Sequence, residues 1–278
     1  MVGSRKAGYL TQVAAKADKL AKKIKGVYLN VCNVHPGPGD HTEATYLQEY
    51  LPFIKRFHLN NAHHSILENF EREKDDYVYC MKEISKKLQT DSPILMLEDD
   101  GLPHDQLIEV SQRILESNWQ FDYAKLFAKS EWNGFGMNIK SLVELLAMCS
   151  ISIYLIGRRR ILLTSIITII MALVLSRQFL SQWRRISISL YTRVPAPDYG
   201  TVAVLYRKPV VDLIGKQFSN VKCSIHFPLD VALANFLNSF NLLGLLVQPN
   251  LAYHIGLYSS IKAVGSWPVD IAFAPSYI

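Results

Sequence analysis

The chain of 278 residues has no glycine-rich phosphate loop, neither GxGxxG nor GxxxxGK. A Rossmann-type dinucleotide site and a P-loop nucleotide site are therefore not encoded. No GxSxG elbow or Cys-His pairing is present in a convincing arrangement, which removes the evident serine and cysteine nucleophiles. Cysteine is scarce. The four residues are Cys32, Cys80, Cys149 and Cys223, and no two stand at CxxC spacing, so a structural zinc site is not indicated. Cys149 lies in an apolar run and reads as a buried thiol. The other three allow at most one disulfide, which would suit an oxidising lumen. The start of the chain lacks the apolar run of a secretory signal. Residues 1–25 are rich in Lys and Ala and read as an exposed, basic, amphipathic helix. The expectation is a chain anchored elsewhere, or part of a longer protein.

Charged residues are 19% and hydrophobic residues 49%, which excludes disordered and fibrous classes. The net charge of +6 suits anionic lipid, nucleic acid or a phosphorylated substrate. The basic runs, Lys16 to Lys25 and Arg158 to Arg160 among them, are not interleaved with aromatics, and no nucleic-acid partner is expected. His58, His63 and His64 read as surface residues.

Two apolar runs stand in the middle of the chain, 142–156 and 161–175, separated by Gly157 and three arginines. Each would be roughly 22 Å long as a helix, short against a bilayer core of about 30 Å. Lys140 and Arg177 could snorkel and extend them. Neither run is amphipathic, and three arginines at a tip demand water or lipid phosphate. The expectation is a transmembrane helical hairpin, with a buried hairpin in a soluble core as the alternative. Both ends of a hairpin emerge on one side, so the flanking segments can build one domain. Arginines on both sides leave its orientation open by the charge rule.

Residues 93–100 read PILMLEDD. A continuous apolar stretch between a proline and an acidic cluster is the pattern of a short buried strand in a parallel or mixed sheet. Residues 75–88 have helical spacing before it. Three carboxylates at a strand end repel one another beside low-dielectric surroundings. A divalent cation relieves that, and hard oxygen ligands suit Mn²⁺ or Mg²⁺, which in turn hold a diphosphate. The bland alternative is a solvated acidic turn before a helix starting near His104.

The Glu-Asp-Asp triplet resembles the DxD-type motif of GT-A glycosyltransferases. Further matching segments are TEATYL (42–47) after a strand expected over 27–31, Asp76 to Cys80, Trp132 to Gly136 before the hairpin, and HIGLYSS (254–260). A GT-A domain interrupted by a membrane hairpin resembles the family of post-GPI-attachment-to-proteins factor four over about residues 26–262. That resemblance implies an α/β fold, with a GT-A-like mixed sheet flanked by helices and interrupted by the hairpin. It implies a Golgi membrane enzyme with a lumenal catalytic domain. It would transfer N-acetylgalactosamine from a UDP-sugar donor to the mannose of a GPI-anchor glycan, with inversion and a metal, Mn²⁺ or Mg²⁺ in its place. The alternative is a non-catalytic membrane-anchored scaffold. The chain departs from the family at its start, where residues 1–25 supply no membrane anchor.

The domains expected are a basic segment (1–25), a donor half (26–138), the hairpin (139–177) and an acceptor half (178–278). By resemblance, Asp100 binds the metal, Glu98 approaches the uridine ribose and Asp99 supports the metal shell. His254 is the further candidate ligand, on a loop after a strand expected at 245–248. An inverting transfer needs a base. Asp230 is the first choice, following a strand expected at 223–227 and opening a helix at 231–237; an N-terminal helix cap is its competing role. Glu131 is the second choice. Trp132 and Phe135 would form an aromatic platform for a sugar face or sit at the membrane interface. The loop His35 to Gly39 is rich in turn residues.

Overall fold

The computed structural model describes residues 2–3, 8–34, 41–56, 66–88, 91–129, 139–156 and 161–256. The strands among them are β1 (Val2–Gly3), β2 (Val31–Asn33), β3 (Phe53–Lys55), β4 (Ile94–Leu97), β5 (Gly101–Pro103), β6 (Tyr123–Lys125), β7 (Thr192–Pro195), β8 (Ala203–Tyr206), β9 (Gly244–Gln248) and β10 (Ala252–His254). The helices are α1 (Tyr9–Ala21), α2 (Thr42–Leu47), α3 (Ile66–Lys87), α4 (Leu107–Glu116), α5 (Ile139–Ile156), α6 (Ile161–Leu180), α7 (Lys208–Gln217) and α8 (Leu229–Ser239).

A mixed five-stranded sheet in the order β4-β8-β6-β9-β7 forms the centre. The β6 and β9 strands run parallel, and the other neighbours are antiparallel. The strands β4 and β6 precede α5 and the strands β7, β8 and β9 follow α6, so both flanks of the helix pair build one sheet. A parallel sheet, β1-β2-β3, and a two-stranded ribbon, β5-β10, complete the strands. One core joins α1 and α4 to one face, through Leu97, Leu205 and Val247. The other joins α3, α7 and α8 to the opposite face, through Ile94, Met96 and Val204. Alternate residues of β4 and β8 thus serve opposite cores, as period two requires.

Several expectations need correction. The strand expected over 27–31 is β2, and it does not span those residues. It begins at Val31, where the amide meets Pro52 O at 3.0 Å, whereas Tyr28 is 81% exposed. An apolar stretch becomes a strand only where a neighbour's backbone accepts it. Residues 223–227 also form no strand; Ser224 and Phe227 close on each other in an isolated bridge. The helix after the acidic turn starts at Leu107 rather than near His104. The N-terminal helix is amphipathic and basic, but Leu10, Val13, Ala14 and Leu20 are buried in the main core rather than exposed.

The helices α5 and α6 pack side by side. Among the described residues no helix is long and apolar enough to cross a membrane. The pair presents Leu146, Ile151, Leu155, Leu162, Ile166 and Ile170 to the exterior.

Cys32 and Cys80 form a disulfide between β2 and α3, while Cys149 and Cys223 are buried thiols. Closing a separation of 48 residues stabilises by at most about 4 kcal/mol on a chain-entropy argument. The double variant Cys32→Ala/Cys80→Ala is expected to lose about 2–4 kcal/mol in denaturant unfolding. A loss below measurement error would show that the crosslink constrains nothing.

Candidate functional site

The β4 strand delivers the acidic triplet. Its last antiparallel bond runs from Glu98 N–H to Val202 O at 2.9 Å, and Gly101 N–H then closes a turn on Glu98 O at 3.1 Å. The turn drives Asp99 and Asp100 inward, where they are 3% and 1% exposed. Glu98 is half-buried, and its Oε1 accepts from Thr201 Oγ1 at 2.6 Å. A solvated acidic turn is thereby excluded.

The β5-β10 ribbon brings in the late part of the chain. Gly101 pairs with His254 in register, and Ile255 N–H donates to Asp100 O at 2.9 Å. His254 Nε2 consequently lies 3.0 Å from Asp100 Oδ2. The imidazole is 32% exposed on its side-chain atoms and rests near Phe127, with ring centroids 6.0 Å apart. His254 ends a short strand rather than riding on a loop. Gly256 covers Asp100 so closely that a Cβ there would overlap the carboxylate.

Asp230 lies in the first turn of α8, with Pro228 as the residue capping it. Its Oδ1 accepts from Val231 N–H at 2.9 Å and its Oδ2 from Gly200 N–H at 3.1 Å. Gly200 adjoins Thr201, the partner of Glu98, so one loop ties Asp230 to the acidic turn. Lys125 holds that loop from below. Its Nζ donates to Pro197 O at 2.8 Å and Tyr199 O at 2.7 Å. Burial lowers its pKa to about 8, against the attraction of Asp230 and Asp198.

The segment leaving α6 is bolted to the same ribbon. Arg185 donates to Asn250 O at 2.8 Å and to the Tyr253 hydroxyl. Gln106 Nε2 donates to Arg185 O at 3.0 Å, and Tyr191 OH donates to Gln106 Oε1 at 2.8 Å. Burial, and then the Arg185 charge, lower the His104 pKa from 6.5 to about 4. Neutral His104 accepts from Gln106 N–H at Nδ1, 3.3 Å away. Between these two pKa values the unfolded chain binds a proton that the folded chain does not. The stability due to neutral His104 is therefore complete above about pH 6.5 and is lost as pH falls towards 4. His104→Asn should flatten that part of the stability–pH curve; an unchanged slope would assign the titration elsewhere.

Among the described residues, no group of three or more His, Cys, Asp or Glu side chains is placed to hold a metal ion. Asp100 and His254 meet, offering one carboxylate and one imidazole. That donor set fits Mn²⁺ or Mg²⁺ when phosphate oxygens and water complete the shell, the usual arrangement for hard cations at phosphate sites. Glu131, Trp132, Phe135, His58, His63, His64, the 35–39 loop and Arg158 to Arg160 lie outside the described residues. The Asp76 to Cys80 segment is structural. Asp76 pairs with Arg56 at 2.7 Å, and Tyr77 shares a 3.0 Å hydroxyl contact with Tyr206.

Sequence reasoning missed Thr201, Lys125, Arg185 and Gly256. Only Gly256 carried a signal, as a glycine two residues after the candidate ligand. The family model for the GPI-N-acetylgalactosamine transferase PGAP4 matches residues 2–253, which take in β4, its acidic turn and most of the ribbon facing it. By that match the chain belongs to the PGAP4 family of GPI-N-acetylgalactosamine transferases.

Proposed function

We propose that this chain transfers N-acetylgalactosamine from UDP-GalNAc to a mannose of the GPI glycan, with inversion and dependence on a divalent cation. Family membership implies a glycosyltransferase with a sugar donor and a GPI glycan acceptor. The observation carrying the finer reading is the 3.0 Å approach of His254 to buried Asp100 at the end of β4. Asp100 and His254 would hold Mn²⁺, or Mg²⁺, with Asp99 in support and Glu98 towards the ribose. The cation would neutralise the diphosphate leaving group.

Asp230 is the base in this reading, with Glu131 second. It takes the proton of the mannose hydroxyl, whose oxygen attacks the anomeric carbon. The bond to UDP breaks, and its electron pair leaves with UDP. One displacement inverts the anomeric centre. Asp230 spends two acceptor positions on backbone amides, and a carboxylate has about four, so acceptor capacity remains. A screen of UDP-sugars with Mn²⁺, read as transfer, tests the donor. Preference for another UDP-sugar would overturn the galactosamine reading. Absence of metal-dependent heat on titrating UDP would favour a scaffold.

We also propose that α5 and α6 embed in the Golgi bilayer, with the sheet in the lumen. Two adjoining helices whose outer surfaces are apolar suit lipid better than water. The disulfide fits an oxidising lumen. The Arg185 contacts would then fix the active site near the membrane holding its lipid-anchored acceptor. Replacing 139–177 by a soluble linker should spare UDP binding and impair transfer to membrane-bound acceptor. Equal transfer to membrane-bound and soluble acceptors would refute tethering.

A further inference from the structure

The chain between β7 and β8, residues 196–202, forms a strap held at both ends by strands. Ala196 N–H donates to Gly244 O at 3.1 Å, and Val202 O accepts from Glu98 N–H at 2.9 Å. Between these ends the strap meets α8 twice. Asn238 Nδ2 donates to Asp198 Oδ1 at 3.2 Å, and Gly200 N–H donates to Asp230 Oδ2 at 3.1 Å. It meets the acidic turn once more, through Thr201 Oγ1 and Glu98 Oε1 at 2.6 Å. One short segment therefore touches both the carboxylate assigned to the ribose and the carboxylate assigned as the base.

Lys125 lies under this strap. It ends β6, with Val204 of β8 and Leu246 of β9 beside it in register. Tyr123 belongs to the core that contains α8, and a period of two puts Lys125 on the same face. Lys125 is 4% exposed. An ammonium there loses its hydration, and that burial brings its pKa down to about 8. An aliphatic side chain would fill the position without this cost. What the ammonium supplies is direction. The carbonyls of Pro197 and Tyr199 both turn to Nζ, at 2.8 and 2.7 Å. Gly200 follows with φ of 87°, a left-handed conformation that glycine takes without strain. Its N–H then leaves towards Asp230.

We propose that Lys125 is a positioning residue for the sugar transfer: by holding the strap, it sets where Asp230 stands relative to Glu98. The inference rests on the reading of Asp230 as the base. Lys125 acts through the backbone and not on the reacting atoms. A strap that shifts carries with it the Gly200 amide on Asp230 and the Thr201 hydroxyl on Glu98. Asp100 and His254 are paired by the β5-β10 ribbon instead, so they stay. The loss should fall on turnover more than on metal-dependent UDP binding. The charged groups facing Lys125 are Asp230 from α8 and Asp198 from the strap, and both favour the ammonium. As pH rises through about 8 the amine becomes neutral. Its hold then weakens, because hydrogen bonds from a charged donor are roughly twice as strong as neutral ones.

The test is transfer from UDP-GalNAc to a mannose-containing GPI glycan by the full chain in detergent micelles. Turnover is counted per UDP-binding site, so that unfolded protein does not enter. Lys125→Met, similar in length and uncharged, should lower kcat by about 10²-fold, the cost of a displacement near 1 Å, with UDP affinity little changed. Lys125→Arg keeps the charge and the donors and should retain more turnover than Lys125→Met. Wild-type kcat should fall as pH rises through about 8. That fall should be absent from Lys125→Arg, whose guanidinium stays charged. Asp230→Asn is the reference. Wild-type turnover by Asp230→Asn would overturn the base reading, and this inference with it. Wild-type turnover by Lys125→Met beside an impaired Asp230→Asn would overturn this inference alone. So would an alkaline fall that persists in folded Lys125→Arg. If neither Lys125 variant folds, the wild-type protein decides: a kcat that does not fall through about pH 8 overturns the proposal.

Discussion

Asp100→Ala is expected to lower transfer by about 10³-fold or more while the protein still folds. In the proposed reaction that magnitude follows from removing a charged group that would act on the leaving diphosphate in a site sheltered from water. Folding should survive because a carboxylate at 1% exposure costs solvation energy that alanine does not. His254, 32% exposed, can rehydrate when its partner is removed. His254→Ala should impair transfer less, since the carboxylate remains. The double variant should be little worse than Asp100→Ala, because residues serving one centre are non-additive. Transfer rates are read beside the unfolding midpoint. Undiminished transfer by a folded Asp100→Ala protein would remove the triplet from the mechanism.

Gly256→Ala should have a large effect for so small a change. The added Cβ would stand 2.8 Å from Asp100 Cγ and 3.1 Å from Asp100 Cβ, and closer still to Oδ2. Something must move. Either the Asp100 carboxylate rotates away from His254, or the end of β10 lifts and carries His254 with it. Displacements near 1 Å at a reacting centre cost about 10²-fold in rate. Overpacking costs stability too, about 1–3 kcal/mol. The activity loss should therefore exceed what the lowered midpoint explains, with metal-dependent UDP binding weakened in parallel. Wild-type UDP binding and rate would show that the ribbon does not set the Asp100 geometry.

Local pattern made much of the scaffold readable. The spacing of Tyr77, Cys80, Met81 and Ile84 gave α3, although its start at Ile66 lay beyond the pattern followed. The apolar stretch after Pro93 gave β4, and the helix beginning near Asp230 is α8. The expected strands at 27–31 and 223–227 failed for one reason. Alternating apolar residues describe what a strand needs on its faces and say nothing of who pairs with its edges. The same limit hid the antiparallel partner of β4. Among the cysteines, only the placement of α3 against β2 selected Cys32 and Cys80 from the pairs available.

The acidic triplet shows where that limit falls within the candidate site. Chain chemistry alone established a buried strand ending in three carboxylates, two apolar helices in the middle, and the absence of the common phosphate loops and nucleophiles. Those properties depend on residues close together in the chain. The arrangement of Asp100, His254, Thr201, Asp230 and Arg185 depends on strand pairing and loop contacts between distant segments. Asp100 meets His254 because Gly101 pairs with His254 across the ribbon, and Glu98 meets Thr201 because β4 pairs with β8. Backbone hydrogen bonds are chemically alike at every residue, so their partners are chosen by the packing of the whole fold and not by the residues that make them.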